Sequence, residues 1–132
     1  MKEVLDTRFL VAHFAPEDDA MRERTTARMR SIRRRGNGVL PALVLGEFFN
    51  QVCQRSGRDS AQRICEYLLL SGLDVVPLRP ETAMAAGEIR CAHRRVPMGD
   101  CVMAALAQEL DGCVVSDDPH FKEIRGLRVG WI

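Results

Sequence analysis

Asp6, Glu47, Asp100 and Asp118 are the side chains in this sequence with the most to offer chemically. Asp6 directly follows the apolar pair Val4-Leu5, and Asp118 follows Val114-Val115-Ser116-Asp117. Asp100 comes just after the break Val96-Pro97-Met98-Gly99, and Glu47 lies among Leu43, Val44, Leu45, Phe48 and Phe49. If the four converged in one partly dehydrated cleft they would repel one another, and a divalent cation would be needed to neutralise them. An all-oxygen set without clustered Cys or His favours Mg²⁺ or Mn²⁺ over zinc. Such an ion activates water for attack on a phosphodiester and steadies charge on the reacting phosphate; a second ion could stabilise the leaving oxygen. No histidine base is then required, and His13, His93 and His120 read as structural. Each acid also has a structural reading. Asp6 and Asp118 (the latter before Pro119) could form Asx turns. Asp100 could be an N-cap, although Met103 rather than Glu or Gln follows at the capping-box position. Glu47 aligns with Asn50, Gln51 and Gln54 as a polar helix stripe. Only convergence decides between the two.

The elements that would bring them together can be read from pattern and punctuation. Glu3–Leu5 is a short strand, and Arg8–Phe14 has a helical pattern. A long helix is predicted from Pro16, with Glu17, Asp18 and Asp19 suited to its dipole, through the arginines to Gly36-Asn37-Gly38. Val39-Leu40 is a second strand, Pro41 opens a helix to about Arg55, and another runs from Asp59 or Ser60 to Leu70. Asp74–Leu78 is a third strand; a helix follows from Pro80 to about Arg95 and another over Asp100–Leu110. Cys113–Ser116 and Leu127–Trp131 are the last strands, with a turn over Asp117–Glu123 between them. Strands alternating with helices imply crossover connections: an α/β fold, one domain over residues 1–132, with a mainly parallel sheet of about five short strands and helices on both faces. In such a sheet the site lies beyond the carboxyl ends of the strands, where Asp6 and Asp118 stand.

Composition excludes several classes. Of 132 residues 46% are apolar and 28% charged, an ordinary globular balance. The longest apolar run, Cys101–Ala107, is far too short to span a bilayer, and the amino terminus has no apolar signal core, so a cytoplasmic protein is expected. The five cysteines contain no Cys-x-x-Cys pair, which argues against a zinc knuckle or dithiol redox site and for free thiols. The net charge of +1 is unevenly spread: seven arginines fall between Arg22 and Arg35 with Glu23 as the only acid among them. Arginine forks suit phosphate, so a nucleic-acid partner stays possible, with Arg33, Arg34 and Arg35, and a second group at Arg94 and Arg95, as candidate contacts; for the Arg22–Arg35 helix a solvated face is an equal explanation. With five Phe, one Trp and one Tyr, the chain has few platforms for base stacking.

Four blocks, in order and at consistent distances, resemble the PIN-domain nucleases, and within them the small VapC-like toxins of toxin–antitoxin pairs. They are Val4-Leu5-Asp6-Thr7, Leu45-Gly46-Glu47-Phe48-Phe49, Gly99-Asp100-Cys101-Val102-Met103-Ala104-Ala105-Leu106-Ala107 and Ser116-Asp117-Asp118-Pro119-His120-Phe121. The resemblance runs from Val4 to about Val129. It implies a PIN-like fold, catalytic and metal-binding roles for Asp6, Glu47, Asp100 and Asp118, and supporting polar roles for Ser116, standing where a threonine is usual, and Asp117. Arg8 departs from the family's small polar residue, and Pro119 stiffens the last loop. Because magnesium keeps several waters, Asp6 and either Asp100 or Asp118 are expected as direct ligands, the others acting through water. The implied activity is a Mg²⁺- or Mn²⁺-dependent endoribonuclease leaving a 3′-hydroxyl and a 5′-phosphate. The implied partners are RNA, a cognate antitoxin and a second copy of the chain, with no membrane. Apolar density in Leu40–Val52 and Ile64–Leu73 agrees with a homodimer.

Two rivals share the fold class. A receiver domain needs an acid after the third strand, where this sequence has Pro77-Leu78-Arg79. A catalytically silent RNA-binding or protein-interaction module is the other, since fold alone does not confer activity; loss of a carboxylate would favour it, and all four are present.

Overall fold

The computed structural model describes residues 1–132. Its elements run β1 (Glu3–Leu5), α1 (Thr7–Phe14), α2 (Asp19–Arg35), β2 (Gly38–Pro41), α3 (Ala42–Ser56), α4 (Arg58–Leu69), β3 (Asp74–Val76), α5 (Pro80–Ala92), α6 (Met98–Glu109), β4 (Cys113–Val115), a 3₁₀ turn (Pro119–Glu123) and β5 (Arg128–Gly130). The strands form one sheet in the order β3-β2-β1-β4-β5, and every neighbouring pair is parallel. Val4 faces Val39 on one side and Val114 on the other.

The chain order dictates where the helices lie. The crossovers β1→β2 and β2→β3 step in one direction across the sheet, whereas β3→β4 steps back past β1. Right-handed crossovers then put α1–α4 on one face and α5–α6 on the other. The direction of travel reverses between β1 and β4, which opens a crevice at their carboxyl ends. Asp6 leaves β1 there, and Ser116, Asp117 and Asp118 leave β4.

Burial follows the same plan. Val4, Leu5, Val39, Leu40, Val114 and Val115 are wholly inaccessible, as strands covered on both faces must be. Helix α6 is buried without interruption from Cys101 to Ala107, so the apolar run seen in sequence is an interior helix rather than an amphipathic one. It packs on α5 on one side and on β1 and β4 on the other. No helix is long and apolar enough to cross a membrane, and all five cysteines are free.

Several boundaries move from their sequence-based positions, each for a local reason. Helix α2 begins at Asp19 rather than Pro16, because the Asp18 carboxylate accepts the Met21 N–H at 2.7 Å and fixes the start there. It ends at Gly36, whose φ of 63° suits the left-handed cap. Pro41 is the last residue of β2 and the cap of α3, where its missing N–H costs nothing. Helix α5 stops at Ala92, before Arg95, and α6 starts at Met98, before Asp100. Strand β3 is three residues, not five.

Candidate active site

Asp6 is the anchor. It is 4% exposed, one residue beyond β1, and it caps α1: its Oδ1 accepts the Thr7 N–H at 2.8 Å. Its Oδ2 accepts the Ser116 hydroxyl at 2.6 Å. The same hydroxyl accepts the Asp118 N–H at 3.0 Å, so one side chain ties the end of β1 to the loop after β4. Burial raises the Asp6 pKa; the Ser116 and Thr7 bonds hold it down, and the Asp118 charge pushes it up.

The other three acids arrive from three different elements. Asp118 caps the 3₁₀ turn, its Oδ1 accepting the His120 N–H at 3.0 Å. Glu47 projects from α3 to the mouth of the crevice, where its Oε1 accepts the Thr7 hydroxyl at 3.2 Å. It is exposed, yet the surrounding protein displaces enough water to raise its pKa; the Thr7 bond opposes that rise and Asp6 adds to it. Asp100 sits in the first turn of α6 but makes no capping bond; Pro97 occupies the cap position. The N-cap reading of Asp100 is therefore set aside. Its carboxyl, 15% exposed, is pushed up to about 6, first by burial and then by Asp118 and Asp6; His120 opposes this and Glu47 adds to it. The four acids thus meet at one crevice, as the convergence test required, and each of the other three is felt by Asp100 as charge.

One histidine read from sequence as structural joins them. His120 Nδ1 lies 3.3 Å from Asp100 Oδ2 and 3.1 Å from Asp118 Oδ1, and one ligating atom from each of the three residues falls within 4.8 Å of the others. That nitrogen is buried yet makes no aligned hydrogen bond. A buried polar atom left without a partner, beside acids that burial and repulsion push toward protonation, is what a cation site looks like before its cation is counted. The residues present fit a divalent ion. The spacing Asp118-Pro119-His120 was the available signal, since a 3₁₀ turn folds the second residue back over the first.

The supporting residues divide. Ser116 lies inside the cluster, whereas Asp117 turns outward, its Oδ1 accepting the Arg8 Nε–H at 2.6 Å. Thr7, not singled out by sequence, connects Asp6 to Glu47. The arginines also separate. Thr82 of α5 donates to Glu109 of α6 at 3.0 Å, so the two helices run antiparallel, and the loop carrying Arg94 and Arg95 lies at the Asp100 end. Arg33, Arg34 and Arg35 occupy the last turn of α2, which leads into the start of β2, at the opposite end of the sheet. Arg33 is committed there, donating to the Ser71 carbonyl at 3.0 Å and the Tyr67 hydroxyl at 3.3 Å.

Comparison with known proteins agrees with this architecture. The PIN domain family model matches residues 4–127. Among solved structures, VapBC2 from Rickettsia felis bound to a promoter DNA fragment superposes with a TM-score of 0.77 at 18% identity, covering 100% of this chain and 99% of that one. FitAcB from Neisseria gonorrhoeae gives 0.76 at 20% identity, over 97% and 96% of the two chains. VapC20 from Mycobacterium tuberculosis, a toxin that cleaves the sarcin-ricin loop, gives 0.73 at 19% identity, over 92% and 94%. At these identities the likeness is one of fold. No curated protein matches the sequence significantly.

Proposed function

The chain belongs to the PIN domain family, and from that premise we propose that it is a Mg²⁺- or Mn²⁺-dependent endoribonuclease, the toxin of a toxin–antitoxin pair. The observation that carries this reading is the meeting of Asp6, Glu47, Asp100 and Asp118 at the β1/β4 crevice, with Asp100 raised to about 6. Asp6, Asp100 and Asp118 would hold the ion, with His120 and Glu47 beside them. When bound, a divalent cation neutralises the carboxylates and activates water for attack on a phosphodiester.

The chain's own residues do the rest. Ser116 and the Thr7 N–H fix both oxygens of Asp6, so that carboxylate meets the ion in one orientation. Thr7 positions Glu47 on the open side, within reach of an incoming substrate. Arg94 and Arg95, exposed at the Asp100 end, attract the RNA backbone that the acids repel. Arg33, Arg34 and Arg35 would meet RNA only far from the cut. A neighbour in the fold is a toxin–antitoxin complex from Klebsiella pneumoniae, which supports an antitoxin as partner. Exposed Leu43, Leu69 and Leu70, in or beside the apolar segments, support a homodimer.

The test is cleavage of single-stranded RNA or an exposed RNA loop by the purified protein in Mg²⁺ or Mn²⁺. EDTA should stop it. RNA that is bound but never cut would replace this reading with that of a silent binding module.

A further inference from the structure

Arg8 lies in the first turn of α1, two residues after Asp6, and its placement is unusual for a cation. Its backbone N–H reaches Asp6, so the cap of α1 fixes its Cα at the crevice. Its Nε is taken by Asp117, the neighbour of Asp118, and the charges of Asp118 and Asp6 also act on its guanidinium. The pair is open to solvent, with the two side chains 54% and 41% exposed, so it adds little to stability. Only Nε is engaged. The Nη1–Nη2 edge, which can bind two phosphate oxygens side by side, makes no hydrogen bond within the chain.

Arg8 lines a cavity of about 410 Å³ beside α1, α2 and α3, within the range of about 300–1,000 Å³ usual for ligand sites. Besides Arg8 and Asp117 it is lined by Glu17, Gln51, Arg55 and Trp131. The last is the only tryptophan of the chain, and it is held edge-to-face on the buried Phe9 at 6.1 Å between ring centres. Arg55 has no acid partner, and Glu17 and Gln51 supply an acceptor and an amide able to meet a base edge. A guanidinium with its Nη groups unbonded, an indole packed edge-to-face on Phe9 and hydrogen-bonding groups beside the acidic crevice are the parts of a nucleotide subsite.

We propose that this cavity receives the nucleoside flanking the scissile phosphate of a single-stranded RNA, with Arg8 gripping the neighbouring phosphate and Trp131 stacking on the base. Asp117 is the brace that aims Arg8. The inference rests on reading the acid cluster as a nuclease site.

The experiment measures binding of a short mixed-sequence single-stranded RNA by anisotropy across a salt series, alongside steady-state cleavage in Mn²⁺. Arg8→Gln should weaken RNA binding roughly tenfold and lower the salt slope by about one phosphate contact. KM should rise in step while kcat stays within about twofold, because the lost contact is made equally in ground and transition states. Arg8→Lys should recover part of the affinity, keeping the charge but not the fork. Trp131→Leu, which keeps apolar bulk against Phe9, should cost at least about fivefold in RNA affinity, and Trp131→Phe should restore most of it. Mn²⁺ affinity should hold or tighten in Arg8→Gln, since a cation beside the acids has been removed. Unchanged RNA affinity and salt slope in Arg8→Gln would overturn the inference while leaving the nuclease reading standing. A parent that binds RNA through Arg8 but never cuts it would overturn the nuclease reading and leave the cavity an RNA site.

Discussion

The acidic crevice and the arginine-rich end of α2 are the two charged regions of this molecule, and they are built on opposite terms. In the crevice, acids more than a hundred residues apart are drawn together, partly dehydrated and fixed: Asp6 and Ser116 are bonded at 2.6 Å, and Asp100 is pushed to about 6. At the other end, Arg33, Arg34 and Arg35 are neighbours in sequence, lie in the last turn of one helix and suit its dipole. Arg28, from the same run, is spent on a partly buried pair with Glu3, and Arg33 on the Ser71 carbonyl. A dense run of like charge along one helix therefore explains itself structurally. Like charges gathered from distant positions into a partly dehydrated crevice have no such local explanation.

The comparison breaks first at the acids. Asp6→Asn or Asp118→Asn should lower RNA cleavage roughly a thousandfold or more, about 4 kcal/mol of barrier, with RNA affinity held or improved because repulsion is relieved. A gel or fluorescence cleavage assay with an anisotropy titration reads both. Charge reversal of Arg33, Arg34 and Arg35 should leave the rate constant for cleavage and Mn²⁺ affinity intact; if it abolished cleavage, the two regions would not be separate.

The next effect is on stability and pH. Burial raises Asp100 above its ordinary value of 3.8, so the fold favours its protonated form. That contribution is complete below about 3.8 and is lost as pH rises through about 6. Metal-free Asp100→Asn should accordingly be more stable than the parent at neutral pH by roughly 2–3 kcal/mol, and the two curves should meet in acid. Denaturant melts in EDTA across pH check this, and added Mn²⁺ should reverse the order by stabilising the parent alone. At the arginine end the effects should be smaller. Reversing one last-turn arginine costs about 0.3–1 kcal/mol through the dipole, and Asp18→Ala, removing the cap at the far end of α2, costs about 1 kcal/mol.

Much of this was legible in sequence, and the reasons differ by residue. Short apolar runs between helical patterns gave five strands, and the strand-end rule singled out Asp6 and Asp118 before any packing was known. Boundaries were less legible. Nothing local says that Asp18 rather than Pro16 sets the start of α2, because that depends on which backbone N–H its carboxylate reaches. His120 and Thr7 escaped notice because their roles are relational: one is folded onto Asp100 and Asp118 by a 3₁₀ turn, the other meets an acid forty residues away. The arginine run is legible in sequence only as charge, since sequence does not show that Arg28 is paired with Glu3 and Arg33 with the Ser71 carbonyl.

The central claim is that the crevice acids hold a cation on which RNA cleavage depends. Its most direct test is RNA cleavage as a function of Mn²⁺ concentration, measured beside calorimetric Mn²⁺ binding, for the parent and Asp100→Asn. Half-maximal cleavage should track the parent's Kd for Mn²⁺, and the variant should lose both together. Cleavage by the variant at the parent's rate, or by either protein in EDTA, would contradict it.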